Sequence, residues 1–283
     1  MIQKLKVLFQ KYYTYIIVFA IIISLSIITF WPTFTENVTS TVWDGTIASS
    51  FNSGTGTLDD PYIISNGNQF AYFITSTSTD ANYFNKYYKL TNNIDFNGYE
   101  LSNTLNTSSS FSGHFDGQGY SLFNFVISNY NNTNNYNEYG VFSNLINADI
   151  ENVNFYNVNI NVNELSTNSY VSLLSSNATN TIFNNISMYN INYNINTSTE
   201  LFTYTAGTLI ANDLGSNTIT NINVYSISNV STNLGTLIGN YNNSTLNRII
   251  YYNNLPLLGN NNIESDQIYA YNINDNNVYF INN

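Results

Sequence analysis

The sequence predicts an all-β solenoid, a parallel β-helix with a short N-terminal capping helix, preceded by a single transmembrane helix. Three observations predict it. Apolar residues recur at i, i+3 and i+5 in six places, two strand-like blocks follow one another at a nearly constant distance, and an uncharged apolar run of 20 residues stands near the N-terminus.

The triplets are Leu122/Phe125/Ile127, Ile150/Val153/Phe155, Phe183/Ile186/Met188, Ile219/Ile222/Val224, Leu246/Ile249/Tyr251 and Ile268/Tyr271/Ile273. Their starts are 28, 33, 36, 27 and 22 residues apart. A loose period of this size marks a solenoid. Within a triplet the step of two is strand periodicity, and the step of three breaks it, as a strand does when it turns a corner on one extra residue. The residue at i+2 is Asn124, Asn152, Asn185 and Asn221, then Arg248 and Ala270. Asparagine is the non-glycine residue that best tolerates the left-handed backbone of a tight corner. Stacked corner asparagines also carry the groups to share amide hydrogen bonds from coil to coil.

The second block is Gly207-Thr208-Leu209-Ile210-Ala211-Asn212, nearly repeated as Gly235-Thr236-Leu237-Ile238-Gly239-Asn240. Degenerate copies begin at Ser172 and Gly140, and the triplets follow the starts at 140, 172, 207 and 235 after 10, 11, 12 and 11 residues. Two short strands per coil with variable loops is the expectation. Asn-rich, β-branched stretches such as residues 153–162 form helix poorly. Eight or nine coils spaced about 4.8 Å apart give a rod about 40 Å long.

Residues 12–31 supply the length of helix, about 30 Å, that crosses a hydrocarbon core. Tyr12, Tyr13, Tyr15 and Trp31 sit like interfacial aromatics, and Pro32 stops the helix. Lys4, Lys6 and Lys11 on one flank predict a single-pass protein with the N-terminus inside and the C-terminal domain outside. A run ending in Thr29-Phe30-Trp31-Pro32 also lacks the small residues of a cleaved signal peptide. The expected plan is a cytoplasmic basic flank over 1–11, the anchor over 12–31 and a linker over 32–42. The N-terminal cap and first coils follow over 43–121, and degenerate repeats over 122–283.

Cysteine is absent, so no disulfide contributes. Beyond the anchor three basic residues face seventeen acidic ones, a net −14. That balance makes nucleic acid or an anionic membrane surface a poor partner. The abundant Ile, Val, Phe and Tyr argue against disorder.

The blocks Trp43-Asp44-Gly45, residues 54–64 (GTGTLDDPYII), Gln69-Phe70-Ala71-Tyr72-Phe73, residues 88–95 (YKLTNNID) and residues 111–120 (FSGHFDGQGY) occur in this order. With their spacing they resemble the opening of GLUG-repeat-type bacterial and archaeal cell-surface proteins, up to about residue 161. The resemblance implies a right-handed parallel β-helix displayed outside the cell as an adhesin-like or stalk module, and it carries no catalytic residues. Phe70, Phe73 and Ile74 at i, i+3 and i+4 predict a short helix over the open N-terminal end, because an uncovered coil is an exposed sheet edge. Gly113, Gly117 and Gly119 read as turn positions around Phe115. No matching cap is evident after Asn276, so the C-terminal end is covered by a partner, for instance a second copy, or by residues 278–283.

Parallel β-helices also house carbohydrate-cleaving enzymes, so the acidic pair Asp59-Asp60, the lone histidine His114 and the lone arginine Arg248 are the candidates for chemistry. Asp60-Pro61 reads as a turn opening, and His114 is expected on a turn. A calcium site from Asp44, Asp59 and Asp60 matches no ligand spacing. The sequence therefore assigns no catalytic, cofactor or metal residue. Asn-x-Ser/Thr sequons at Asn37, Asn106, Asn131, Asn177, Asn185, Asn196, Asn229, Asn242 and Asn243 are no more than this composition produces. Pairs such as Tyr87-Tyr88 and Tyr251-Tyr252 must send one ring outward on a strand. Such rings either contact a sugar or protein, or stack in ladders along the solenoid, and the ladder is the favoured expectation. The expected function is a non-catalytic, membrane-anchored surface-display or adhesion protein that binds a glycan or protein through its flank. A β-helical carbohydrate-active enzyme and a structural protein of a virus particle are the alternatives.

Overall fold

The computed structural model describes residues 40–101, 110–128, 138–165, 169–197, 204–228, 235–252, 258, 267–272 and 277–281. Among them one helix, Gly67–Thr79, accompanies strands that pair almost wholly in parallel. Strands of successive coils pair with one another, and most pairs join strands that are not consecutive in sequence. The result is a β-helix-like solenoid.

The stacking of the triplets is visible in the register. Val153, Ile186, Ile222 and Ile249 align from coil to coil, and all four are fully buried. Beside them run the columns Ile150–Phe183–Ile219–Leu246 and Phe155–Met188–Val224–Tyr251. Each such side chain contributes about 1.5–3 kcal/mol on leaving water, which offsets the backbone ordering of its coil.

Two of the six triplets lie elsewhere. Leu122 aligns with Phe155 and Ile127 with Ile160, while Phe115 takes the place in line with Ile150. The reason is that the strand Asp149–Leu165 turns two corners, at Asn152 and Asn157, so its 3-2 spacing recurs and a short triplet fits either half. At the other end Ile268 aligns with Ile249, because the pairing slips between Asn247 and Ile249.

The corners take the backbone expected of them. Asn152, Asn185, Asn221 and Arg248 have φ between 54° and 58°, and Asn124, Asn157 and Asn190 form a second left-handed column with φ between 51° and 59°. The expectation of two strands per coil is corrected to three sheets, of 13, 5 and 3 strands. The block beginning at Gly207 is bent. Tyr204–Gly207 belongs to the three-stranded sheet and Ile210–Asp213 to the five-stranded one, with Thr208 and Leu209 turning between them. Those corner residues are as β-prone as their flanks, so the sequence pattern runs straight through the bend.

The helix lies where its apolar face predicts. Asn66 caps it by accepting from the Gln69 N–H at 3.0 Å, and Phe70, Phe73 and Ile74 are buried. Phe73 stacks on Phe115 at 5.3 Å between ring centres and meets Tyr88 at 4.6 Å. Of the three glycines, one has the left-handed backbone of a turn. Gly119 has φ +80°, but Gly113 and Gly117 are needed for close approach: a Cβ there would lie 2.3 Å from the Lys86 carbonyl and 2.5 Å from that of Asn152. The expected linker ends in a strand, Ser40–Val42, paired with Asn93–Asp95. At the far end Asn277–Ile281 folds back antiparallel on Gln267–Asn272 and covers the last edge of the long sheet. The anchor over 12–31 and its basic flank lie outside the described residues, among which no helix is long and apolar enough to cross a membrane.

Replacing Ile222 by Ala removes the centre of the shared column and is expected to cost about 3 kcal/mol, whereas Asn223→Ala on the outer face costs about 0.5 kcal/mol. Urea unfolding of the two variants measures both, and equal losses would refute the common interior.

Candidate functional site

The outer faces are built from side chains that meet their counterparts in the next coil. Asn124 donates its amide to Asp95 at 3.0 Å, Asn157 to Asn124 at 3.2 Å and Asn190 to Asn157 at 2.7 Å. A second column runs from Asp116 through Asn152 to Asn185, with both bonds at 2.9 Å. A third runs from Glu138 through Asn177 and Asn212 to Asn240, at 2.9, 2.9 and 2.8 Å. In each the later residue donates to the earlier one, and each begins at a carboxylate. A carboxylate only accepts, so it fixes the first amide as donor and thereby every amide beyond it.

One strand position before the Asn124–Asn157–Asn190 column lies an aromatic column, in which Phe123, Tyr156, Tyr189 and Tyr225 align in register. Tyr156 and Tyr189 stack at 4.9 Å and 4°, and Tyr189 and Tyr225 at 4.5 Å and 5°. Nearly parallel rings at that spacing cover each other's faces and leave only edges and hydroxyls outward. This is the ladder expected from the sequence, and the stacked faces are closed to a sugar ring. Burial, followed by the neighbouring Tyr189, pushes the Tyr156 phenol up to about 12.

Beside this ladder the amide column breaks. Asn221 donates sideways to Asn184 at 3.0 Å, and the next corner is Arg248 where other coils have asparagine. The break opens a groove of about 450 Å³ lined by Asn185, Asn221, Asn223, Arg248 and Ile250. Arg248 is exposed and forms no ion pair among the described residues. No carboxylate lines this groove, so its arrangement offers hydrogen bonding and an apolar edge without acid–base chemistry.

His114 is not on a turn. It opens the strand His114–Asp116, with Phe115 inward and its two neighbours outward. The glycine on either side of this strand read as a turn signal, which concealed a strand of three residues. Asp149 and Glu151 of the next coil align with His114 and Asp116. His114 Nδ1 lies 3.1 Å from Asp149 Oδ2, and Nε2 lies 3.2 Å from Glu151 Oε1. Tyr87 of the preceding coil covers the imidazole at 5.4 Å. The hydrogen bond to Asp149 holds the His114 pKa above its ordinary value, with the charges of Asp149, Glu151 and Asp116 adding to it and burial opposing. Burial first, then the charge of Asp149, raises that of Glu151.

The acidic candidates Asp44, Asp59 and Asp60 lie in local turns. Asp44 accepts from the Thr46 N–H and hydroxyl at 2.9 and 2.8 Å and from Asn68 at 3.0 Å, and the Thr46 N–H bond is the main cause of its lowered pKa. Asp59 and Asp60 lie on an exposed turn, where the Asp60 carbonyl accepts from Thr55 and Gly56. Among the described residues the group with metal-ligand spacing is His114, Asp116 and Glu151. Sequence reading missed it because the partners come from strands 33 or more residues apart, and only the register of successive coils brings them together.

No family model and no curated protein matches the chain. Among solved structures, one described as a “putative immunoglobulin A1 protease” from Bacteroides ovatus aligns at 14% identity over 77% of this chain and 83% of that one, with a TM-score of 0.30. A likeness of that degree carries no argument about fold or activity.

Two outcomes test these ladders. Tyr189→Ala removes two ring stacks at once and is expected to cost about 2 kcal/mol by urea unfolding, with Tyr189→Phe nearly neutral. Glu138 accepts from Asn177 and Asn144, yet burial outweighs these bonds and raises its pKa above 4.5. Its contribution to stability is therefore fully present below about pH 4.5 and is lost as pH rises through the folded-state pKa. Glu138→Gln flattens the thermal midpoint between about pH 4 and about pH 7, and an unchanged slope would show that another group sets it.

Proposed function

We propose that this chain is a membrane-anchored, non-catalytic surface-display or adhesion protein. It belongs with the GLUG-repeat-type surface proteins, its solenoid is right-handed, and it presents one flank to a glycan. The hand follows from the general rule that parallel strands joined by crossovers wind right-handedly. The apolar run over 12–31 with its lysine flank supports an anchor that holds the domain outside, on a cell or virion membrane.

One observation carries the binding reading: the groove at Arg248 opens in an outer face where neighbouring asparagines and tyrosines form ladders. Its three asparagines, with the arginine donors and the Ile250 edge, suit the mixture of hydroxyls and C–H faces on a sugar.

The full-length chain in detergent, screened on a glycan array, is expected to select a narrow set of sugars. Arg248→Asn keeps the corner in a backbone that asparagine accepts, so the thermal midpoint holds or rises while glycan affinity falls at least about tenfold. Sugar binding that is indifferent to Arg248 would place the contact elsewhere, and silence across the array would remove the adhesion reading in favour of a scaffold.

A further inference from the structure

The groove leaves one built cluster unused. His114 and Asp116 leave the same strand on its outer side, and Asp149 and Glu151 occupy the aligned positions one coil on. A neutral imidazole has one N–H to give. Given to Asp149 at 3.1 Å, it leaves Nε2 as a lone pair facing a Glu151 oxygen at 3.2 Å. Two lone pairs at that separation repel, so the arrangement calls for a positive charge between them. A proton is one answer and a metal ion is the other.

The donor set favours the metal. The ligand atoms of His114, Asp116 and Glu151 all lie within 4.8 Å of one another, a spread that closes around an ion bound about 2.1 Å from each. The Asp149 contact is the outer-carboxylate bond that fixes the tautomer of a metal-bound histidine and presents its second nitrogen. Asp149 also keeps Oδ1 buried with no hydrogen-bond partner, so three carboxylates crowd a single imidazole. Lys89, aligned with Asp116 from the coil before, makes no ion pair with it among the described residues and leaves that excess uncompensated.

We propose that His114, Asp116 and Glu151 form a divalent transition-metal site, with Asp149 as positioning residue and zinc as the best-suited ion. Nitrogen and carboxylate donors in this number suit zinc, whereas calcium takes six to eight oxygens and no imidazole. The sequence pointed to no metal here, since neither the spacing within 114–116 nor that within 149–151 is a ligand motif. Because the ligands come from two coils, the ion fastens one coil to the next. The site shares no residue with the glycan groove, although amide hydrogen bonds link the two, Asp116 through Asn152 to Asn185 and Glu151 through Asn184 to Asn221, and neither reading requires the other.

Titration of zinc chloride into the metal-free full-length chain at about pH 7.5 reads the site directly. The expected result is one zinc per chain, a thermal midpoint raised by zinc but not by calcium, and a cobalt(II) derivative with visible absorption of a low-coordinate nitrogen–oxygen site. Glu151→Gln, nearly isosteric and on the outer face, is expected to weaken zinc at least about tenfold, Asp149→Asn about tenfold, and His114→Ala to abolish binding. Unchanged circular dichroism of the Gln variant separates lost ligation from lost fold. Zinc that binds all three variants as it binds the parent, or that fails to bind the parent, overturns the site and leaves a proton as the charge between His114 and Glu151.

Discussion

Parallel, in-register stacking is the constraint on which the rest of this protein depends. It places most residues directly above an equivalent residue of the next coil, so a side chain must tolerate its own kind as a neighbour. Amides do so by donating to one another, aromatic rings by stacking, and branched aliphatics by filling a shared column. Like charges do not, and directly opposed pairs destabilise a sheet. The chain is accordingly only 8% charged, with tyrosine and asparagine where most surfaces carry lysine and glutamate. A composition that looks like genomic bias is also what this geometry admits.

The few acids are placed with the same logic. Asp95, Asp116 and Glu138 begin amide columns, where a group without a hydrogen to give is required. Glu100 does the same for Ser128, and Glu151 for Asn184. Asp116 and Glu151 then have a second role beside His114. One geometry thus sets both the cohesion of the coils and the concentration of negative charge around the lone imidazole.

Much of this fold is legible from residues alone, because burial writes periodicity into sequence. The 3-2 spacing around Val153, Ile186, Ile222 and Ile249 names a buried column, and the asparagine inside each triplet names the corner. The Phe70/Phe73/Ile74 face names the helix. What the sequence hides is register. Leu122 and Ile268 fit the spacing but belong to other columns, since a strand with two equal corners permits two alignments. The bend at Thr208-Leu209 is hidden because corner and strand residues share one propensity. The candidate sites are harder still. Arg248 stands out as the lone arginine, yet nothing in its neighbourhood in sequence marks the groove, which lies where Asn221 turns aside to Asn184. His114 shows no motif at all, since the ring that covers it comes from the preceding coil and the carboxylates that bond it come from the next.

The amide columns run one way, each later residue giving its hydrogen to an earlier one. A coil emerging from the ribosome therefore finds acceptors already presented by the coil made before it, and presents fresh ones to the coil that follows. Assembly is thereby primed to proceed in the order of synthesis, each finished turn acting as the template for its successor.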